Sequence, residues 1–332
     1  MRPGCSKRRT GSGSQEFSNP KGAHISPEID RTIDCFVDLV LLMGIDGLRR
    51  QYQEMCSYRT PDFRYSAFTA NPSRNRYQDV VCLDRSRVVL KQEVPPLTDY
   101  IHANWVKFED HDREFIATQG PLDNTVGDFW RMVFQEHCPS IVNLTRCVED
   151  GKIKCSEYWP TEPGKFFTQG KIFVNTKKVE TEEKFIVYTI ELVPEGCSDS
   201  HIVKMIHMTN WPDRGVPQSG RHVLRLLRKV VADKLDCGPI VMHCSAGVGR
   251  TGCIIMIDVI LRRLFAGKQV DMVDIFRKLR DQRADSIPVD ILYVFVVVSV
   301  IDYIRAKLPQ KYREKTQRFM DEFRFLQIQQ HL

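Results

Sequence analysis

Long apolar runs are missing from this sequence. No stretch approaches the roughly 18 consecutive apolar residues that would span a bilayer. The opening Met1-Arg2-Pro3-Gly4 has none of the apolar segment of a secretory signal. A globular, cytoplasmic protein without a transmembrane segment is the expectation. Paired metal-ligand spacings are missing too: the eleven cysteines are odd in number and contain no C-x-x-C pair. That argues for free thiols in a reducing compartment and against a zinc site, so no metal is expected. The charge excess is small, +6 over 332 residues, which does not call for nucleic acid. Internal repeats are absent. What is present is material for a substantial core, with 42% hydrophobic and 10% aromatic residues.

Residues 1–25 hold Gly, Ser, Lys and Arg with almost nothing apolar, and read as a disordered basic arm with Lys7-Arg8-Arg9 as a solvated charge run. From Ile29 to Met55 apolar residues recur at three and four (Ile33, Phe36, Val37, Val40, Leu41), interrupted near Gly44 and Gly47, which predicts helices packed on the main domain. Strands are predicted at 80–83, 100–106, 114–118, 140–144, 171–177, 185–192 and 203–208. Helices are predicted at 128–136, 221–234, 253–265, 272–282 and 292–307. Strands interleaved with amphipathic helices indicate an α/β domain, a mixed central sheet flanked by helices, over 26–308. Residues 309–332 read as a charged C-terminal helical extension.

The chemistry concentrates in His243-Cys244-Ser245-Ala246-Gly247-Val248-Gly249-Arg250-Thr251-Gly252. It follows the apolar run Pro239-Ile240-Val241-Met242 and precedes Cys253-Ile254-Ile255-Met256-Ile257, so it reads as strand, glycine turn and buried helix. Successive backbone N–H groups of Ser245, Ala246, Gly247, Val248 and Gly249 can converge on a tetrahedral anion, helped by the helix dipole. The same donors would stabilise a thiolate at Cys244, making it nucleophilic near neutral pH. Arg250 can clamp two phosphate oxygens with its planar fork.

Set between a strand and a helix, this stretch resembles the phosphate-binding loop of the protein tyrosine phosphatases, with Cys244 as nucleophile and Arg250 as the anion-binding arginine. The resemblance covers roughly residues 45–305. It implies that Trp211-Pro212-Asp213, in a loop stiffened by Pro212 and Pro217, is the mobile acid loop, with Asp213 protonating the departing tyrosine oxygen and Trp211 anchoring a hinge. Ser73-Arg74-Asn75-Arg76-Tyr77-Gln78-Asp79-Val80 resembles the substrate-recognition loop, where Tyr77 would flank the phenyl ring and Asp79 would accept hydrogen bonds from the peptide backbone. Phe115 to Leu122, Asp128 to Val133 and Lys154-Cys155-Ser156-Glu157-Tyr158-Trp159-Pro160 match in order and spacing, with Gln119, Gly120 and Trp130 mainly structural. The resemblance further implies that Thr251 bonds the Cys244 sulfur, His243 holds the loop, Glu149 orients Arg250 and Lys154 approaches the acid loop.

Two departures stand out. Asp99-Tyr100-Ile101-His102-Ala103 carries His102 where the family usually has asparagine, and Pro288 falls where the family has the glutamine that positions the hydrolytic water. Proline has neither a side-chain hydrogen-bonding group nor an N–H, so the second chemical step would need Gln282, Asp285, Ser286 or Asp290 to orient water. The expected function is phosphotyrosine hydrolysis in proteins through a cysteinyl-phosphate, by a monomer without a cofactor, with phosphotyrosine proteins as partners. The rival is a phosphotyrosine-binding module left nearly inactive by Pro288. A dual-specificity phosphatase is disfavoured by Tyr77 and the long elements before the cysteine loop.

Overall fold

The apolar run before Cys244 becomes the middle strand of the sheet. The computed structural model describes residues 25–91, 98–212, 215–231 and 238–330. Its strands are β1 (Arg87–Val89), β2 (Tyr100–Val106), β3 (Phe115–Thr118), β4 (Ser140–Asn143), β5 (Val148–Glu149), β6 (Lys152–Ile153), β7 (Phe166–Gln169), β8 (Ile172–Thr181), β9 (Phe185–Pro194), β10 (His201–Met208) and β11 (Ile240–His243). Its helices are α1 (Pro27–Met55), α2 (Ser66–Ala70), α3 (Val126–Gln135), α4 (Arg221–Val231), α5 (Arg250–Phe265), α6 (Met272–Gln282), α7 (Asp290–Lys307), α8 (Pro309–Tyr312) and α9 (Gln317–Gln330).

Nine strands form one mixed sheet in the order β1-β2-β3-β11-β4-β10-β9-β8-β7, and β5 and β6 form a separate hairpin. β3, β11, β4 and β10 are parallel and central, and antiparallel pairs flank them on both sides. All four residues of β11 are buried, as a strand covered on both faces requires. Ile240 and Met242 pack with the helices α1, α4, α5, α6 and α7, while Val241 packs on the other face with α3. The same alternation delivers Cys244 to the first face. β3, β11 and β4 end in register, His243 opposite both Thr118 and Asn143. The segments that leave them therefore meet at one edge, where open parallel sheets hold their ligands.

α1 starts on Ser26, whose hydroxyl accepts from the Ile29 amide at 3.2 Å, with Pro27 in its first turn. It breaks its helical geometry at Gly44, where φ is +63°, matching the interruption read in the sequence. α5 and α7 are buried almost throughout. The Tyr52 hydroxyl donates to the Ile287 carbonyl at 2.9 Å and Arg49 pairs with Asp290 at 2.7 Å, so α1 is tied to the start of α7. No helix among the described residues is long and apolar enough to cross a membrane.

Several expectations need correction. Residues 80–83 are not a ladder strand: the carbonyls of Val80 and Leu83 are bonded by side chains of β2, His102 and Asn104. Side chains there replace the backbone partner that a strand would need. The first strand comes later, at β1. β7 was unforeseen, and the β5–β6 hairpin was implied only by the family resemblance around Glu149 and Lys154, because short runs with exposed positions carry little periodic signal. The C-terminal segment is not merely a surface helix, since Phe319, Met320 and Phe323 are buried in the main cluster. The arm expected over 1–25 lies, but for its last residue, outside the described residues.

Candidate active site

Between β11 and α5 the chain turns sharply around Cys244. Gly247 has φ +73°, and a Cβ there would lie 2.1 Å from the Thr118 carbonyl oxygen, so only glycine fits. The turn is held from below by Gly120, whose amide donates to Ser245 O at 2.9 Å. A Cβ on Gly120 would come within 2.9 Å of the carbonyl oxygens of Cys244 and Lys154. α5 begins with Gly249 as its cap, a residue with no side chain to bond the first-turn amides. Those amides and the positive end of the helix are left beside the cysteine.

Cys244 is 5% exposed. Its sulfur accepts from the Gly247 amide and from the Thr251 hydroxyl, each at 3.3 Å. Burial alone would push the thiol up, but the Thr251 hydrogen bonds, Arg250 and the Gly247 amide outweigh it and hold Cys244 below the ordinary thiol value. At the other buried thiols among the described residues burial outweighs whatever lowers the pKa. Cys138, Cys155 and Cys253 are pushed well above the usual range, by burial before any other cause.

Arg250 is held by Glu149 in a two-pronged pair, with Nη1 to Oε1 at 2.7 Å and Nη2 to Oε2 at 2.8 Å. It also donates to the carbonyls of Leu144 at 2.9 Å and Pro212 at 3.4 Å. Burial raises the pKa of Glu149, but the bond to and charge of Arg250, joined by the Arg146 amide and the Thr145 hydroxyl, more than offset this and keep the carboxyl below its ordinary value. The hairpin β5–β6 thus presents Glu149 to Arg250. Trp211 is buried, donates to Gly215 O at 3.3 Å, and lies edge-on to Phe295 of α7. Asp213, the expected acid, lies outside the described residues.

Tyr77 reaches the cradle directly. Ser245 Oγ gives its hydrogen to Lys154 O at 2.8 Å, so the Tyr77 hydroxyl, 2.8 Å from Ser245 Oγ, is the donor of that contact. Asp79 is exposed two residues on. Lys154 thus meets the loop through its main chain; its expected approach to the Asp213 loop ends on residues outside those described. His243 is fully buried, with Nδ1 donating to Cys244 O at 2.9 Å and Nε2 accepting from the Tyr158 hydroxyl at 2.7 Å. Burial lowers its pKa to about 4, so it is neutral at pH 7. Ala246, Val248 and Gly249 complete the turn, with the Val248 carbonyl accepting from the Ile287 amide at 2.9 Å.

Three supports went unforeseen. Arg283, fully buried, donates to Gly247 O at 3.0 Å and Ala246 O at 2.9 Å, turning the loop's carbonyls away from the cradle. Arg76 donates to the carbonyls of Gly120 and Pro121 at 2.9 and 2.7 Å. Tyr158 orients His243. A signal for Arg283 existed: the buried stripe of α6 runs through Met272, Ile275, Phe276, Leu279 and Arg280, and its next position is Arg283. A cation continuing a buried stripe calls for polar partners.

A thiol poised to ionise at the base of a ring of amides, faced by a fixed guanidinium, defines a cysteine-based site for a tetrahedral anion. The protein-tyrosine phosphatase family model matches residues 71–302, and the chain belongs to that family. It is 36% identical over 265 residues to receptor-type tyrosine-protein phosphatase F of Bos taurus, which covers 79% of this chain and 14% of that protein. It is 40% identical over 232 residues to receptor-type tyrosine-protein phosphatase U of Gallus gallus, covering 69% of this chain and 16% of that protein. The chain thus spans 14–16% of the length of these relatives.

Proposed function

We propose that this chain hydrolyses phosphotyrosine in proteins through a cysteinyl-phosphate intermediate. The observation that carries the reading is the lowered pKa of Cys244, produced by donors whose geometry also suits phosphate, opposite an Arg250 clamped by Glu149. The Cys244 thiolate attacks phosphorus and the bond to the tyrosine oxygen breaks, with Asp213 supplying a proton to that oxygen. Arg250 and the amides of residues 245–249 bind the equatorial oxygens more tightly as charge spreads in the transition state. Water then attacks phosphorus, phosphate leaves, and the Thr251 hydroxyl supports the departing Cys244 thiolate. Tyr77 flanks the phenyl ring and Asp79 receives the peptide backbone.

Residues 26–308 act as the catalytic domain and 309–332 as its helical extension, in a monomer in the cytoplasm. The nine free cysteines among the described residues suit a reducing compartment. The phosphatase names of the relatives favour turnover over a module that only holds its target. Phosphate release from a phosphotyrosine peptide tests the reading. The wild type should turn over and Cys244→Ser should not, while the variant keeps binding the peptide; turnover surviving in Cys244→Ser would remove the nucleophile.

A further inference from the structure

His102 of β2 is 2% exposed, and its ring has a defined partner at each nitrogen. Nε2 lies 2.7 Å from the Val80 carbonyl oxygen, which can only accept, so Nε2 carries the hydrogen. Nδ1 lies 3.1 Å from Nη1 of Arg283, which can only donate, so Nδ1 offers its lone pair. A single neutral tautomer satisfies both, and burial together with Arg283 lowers the pKa of His102 to about 3. Phe68 meets the ring edge-on at 5.7 Å and fixes its plane. The backbone is fixed as well, because the His102 carbonyl accepts from the Thr118 hydroxyl at 2.8 Å and the Gln119 amide at 3.3 Å.

The two partners belong to different parts of the site. Val80 closes the segment that carries Tyr77 and Asp79, while Arg283 holds the carbonyls of Ala246 and Gly247. Asn104, two residues along β2 and so on the same face, accepts from the same Arg283 nitrogen at 2.8 Å and donates to Leu83 O at 3.0 Å. Tyr77 already touches the cradle at Ser245. The recognition segment is therefore attached at both ends, through Tyr77 to Ser245 and through Val80, His102 and Arg283 to residues 246–247.

We propose that His102 is a positioning residue that ties segment 77–80 to the phosphate cradle through Arg283, and so sets the place of the aromatic wall relative to the bound phosphate. The inference rests on the phosphotyrosine reading of the site. It predicts a division between ligands with and without a ring. An asparagine offers an acceptor and a donor from one planar group, as the neutral imidazole does, whereas leucine offers neither.

Affinities are measured in the Cys244→Ser background, for a phosphotyrosine peptide and for inorganic phosphate, with turnover of the wild type measured separately. His102→Leu should weaken the peptide about tenfold, the scale of leaving the buried Val80 carbonyl without its partner while Arg283 keeps Asn104. It should change inorganic phosphate by less than about twofold, and His102→Asn should restore the peptide affinity. An unchanged peptide affinity in His102→Leu, an equal loss for both ligands, or a His102→Asn variant as weak as His102→Leu would each overturn the proposal. Should His102→Leu fail to fold, nitrogen NMR of the otherwise intact protein decides. The ring should show the Nε2–H tautomer at pH 7 and a shift at Nδ1 when a phosphotyrosine peptide binds, and a ring that ignores the peptide contradicts the tie. A wild type without turnover counts against the phosphatase reading alone, since the affinities do not depend on it.

Discussion

At the scale of single residues, Pro288 gives the proposed second half of the reaction its sharpest test. Its ring lies 3.8 Å from where a Cβ on Gly249 would sit, with Leu292 nearer still at 3.3 Å, so an apolar wall borders this side of the cradle. Three of the four polar residues that could orient water are engaged elsewhere, and only Asp285 is left to serve. Gln282 exchanges hydrogen bonds with the Lys107 backbone, Ser286 donates to Arg283 O at 2.7 Å, and Asp290 pairs with Arg49. Water attack on the cysteinyl-phosphate should then lag its formation, and rapid mixing with an aryl phosphate should give a burst followed by slow turnover. Pro288→Gln should raise steady-state turnover roughly tenfold to hundredfold, the scale of an orientation effect, with the burst rate nearly unchanged. Fast wild-type turnover without a burst would show that hydrolysis needs no side chain at position 288. Asp213→Ala should slow phosphotyrosine hydrolysis by about 10² to 10⁴ and an activated aryl phosphate far less, because its leaving group needs no proton. Equal losses on the two substrates would take the acid role from Asp213.

Among the elements, α9 does more than cover the core. Gln327, largely buried, donates through Nε2 to the carbonyls of Val216 at 3.3 Å and Pro217 at 3.0 Å, just beyond the segment with Trp211 and Gly215. On the near side of Asp213, Arg250 donates to Pro212 O. Gln327→Leu leaves two carbonyls facing a buried alkyl group and should cost about 1–3 kcal/mol of stability, read as a lower urea midpoint. Phosphotyrosine turnover should fall as well, and a variant with the parental midpoint would show that water serves those carbonyls equally well. α8 and the turn between it and α9 also bind α1 through charges, with Lys311 at 2.8 and 2.7 Å from Asp30 and Asp34, and Lys315 at 2.6 Å from Asp38. These pairs are substantially exposed and contribute little each. The buried Phe319, Met320 and Phe323 hold the helix instead.

For the whole molecule, buried neutral imidazoles shape the response to acid, His102 and His243 among them, with His207 lowered by burial in the same direction. Burial depresses His102 to about 3 and His243 to about 4, whereas both take up a proton near pH 6.5 in the unfolded chain. Between these values the unfolded state binds more protons, so stability is complete above about pH 6.5 and declines as pH falls. The decline is about 1.4 kcal/mol per pH unit for each histidine. Glu149 and Asp258, both held below ordinary carboxyl values despite burial, act in the same direction at lower pH. Urea midpoints should drop between pH 7.5 and 5.5, and His102→Asn should flatten the dependence by about one proton; a level profile would mean that the folded protein admits the extra charge. The buried helix after the cysteine and the cradle itself could be read along the chain, because each is local: an apolar run, a glycine turn and a helical period lie within about 25 residues of one another. The break in α1 at Gly44 was legible for the same reason. Arg283 beneath the loop, the tie that His102 makes between Val80 and Arg283, and Gln327 behind Val216 and Pro217 were not assigned from pattern, and Glu149 was placed on Arg250 by the family resemblance alone. Each acts on residues 20 to more than 100 positions away, and such pairings are chosen by the packing of helices and strands whose individual patterns do not encode which neighbour they meet.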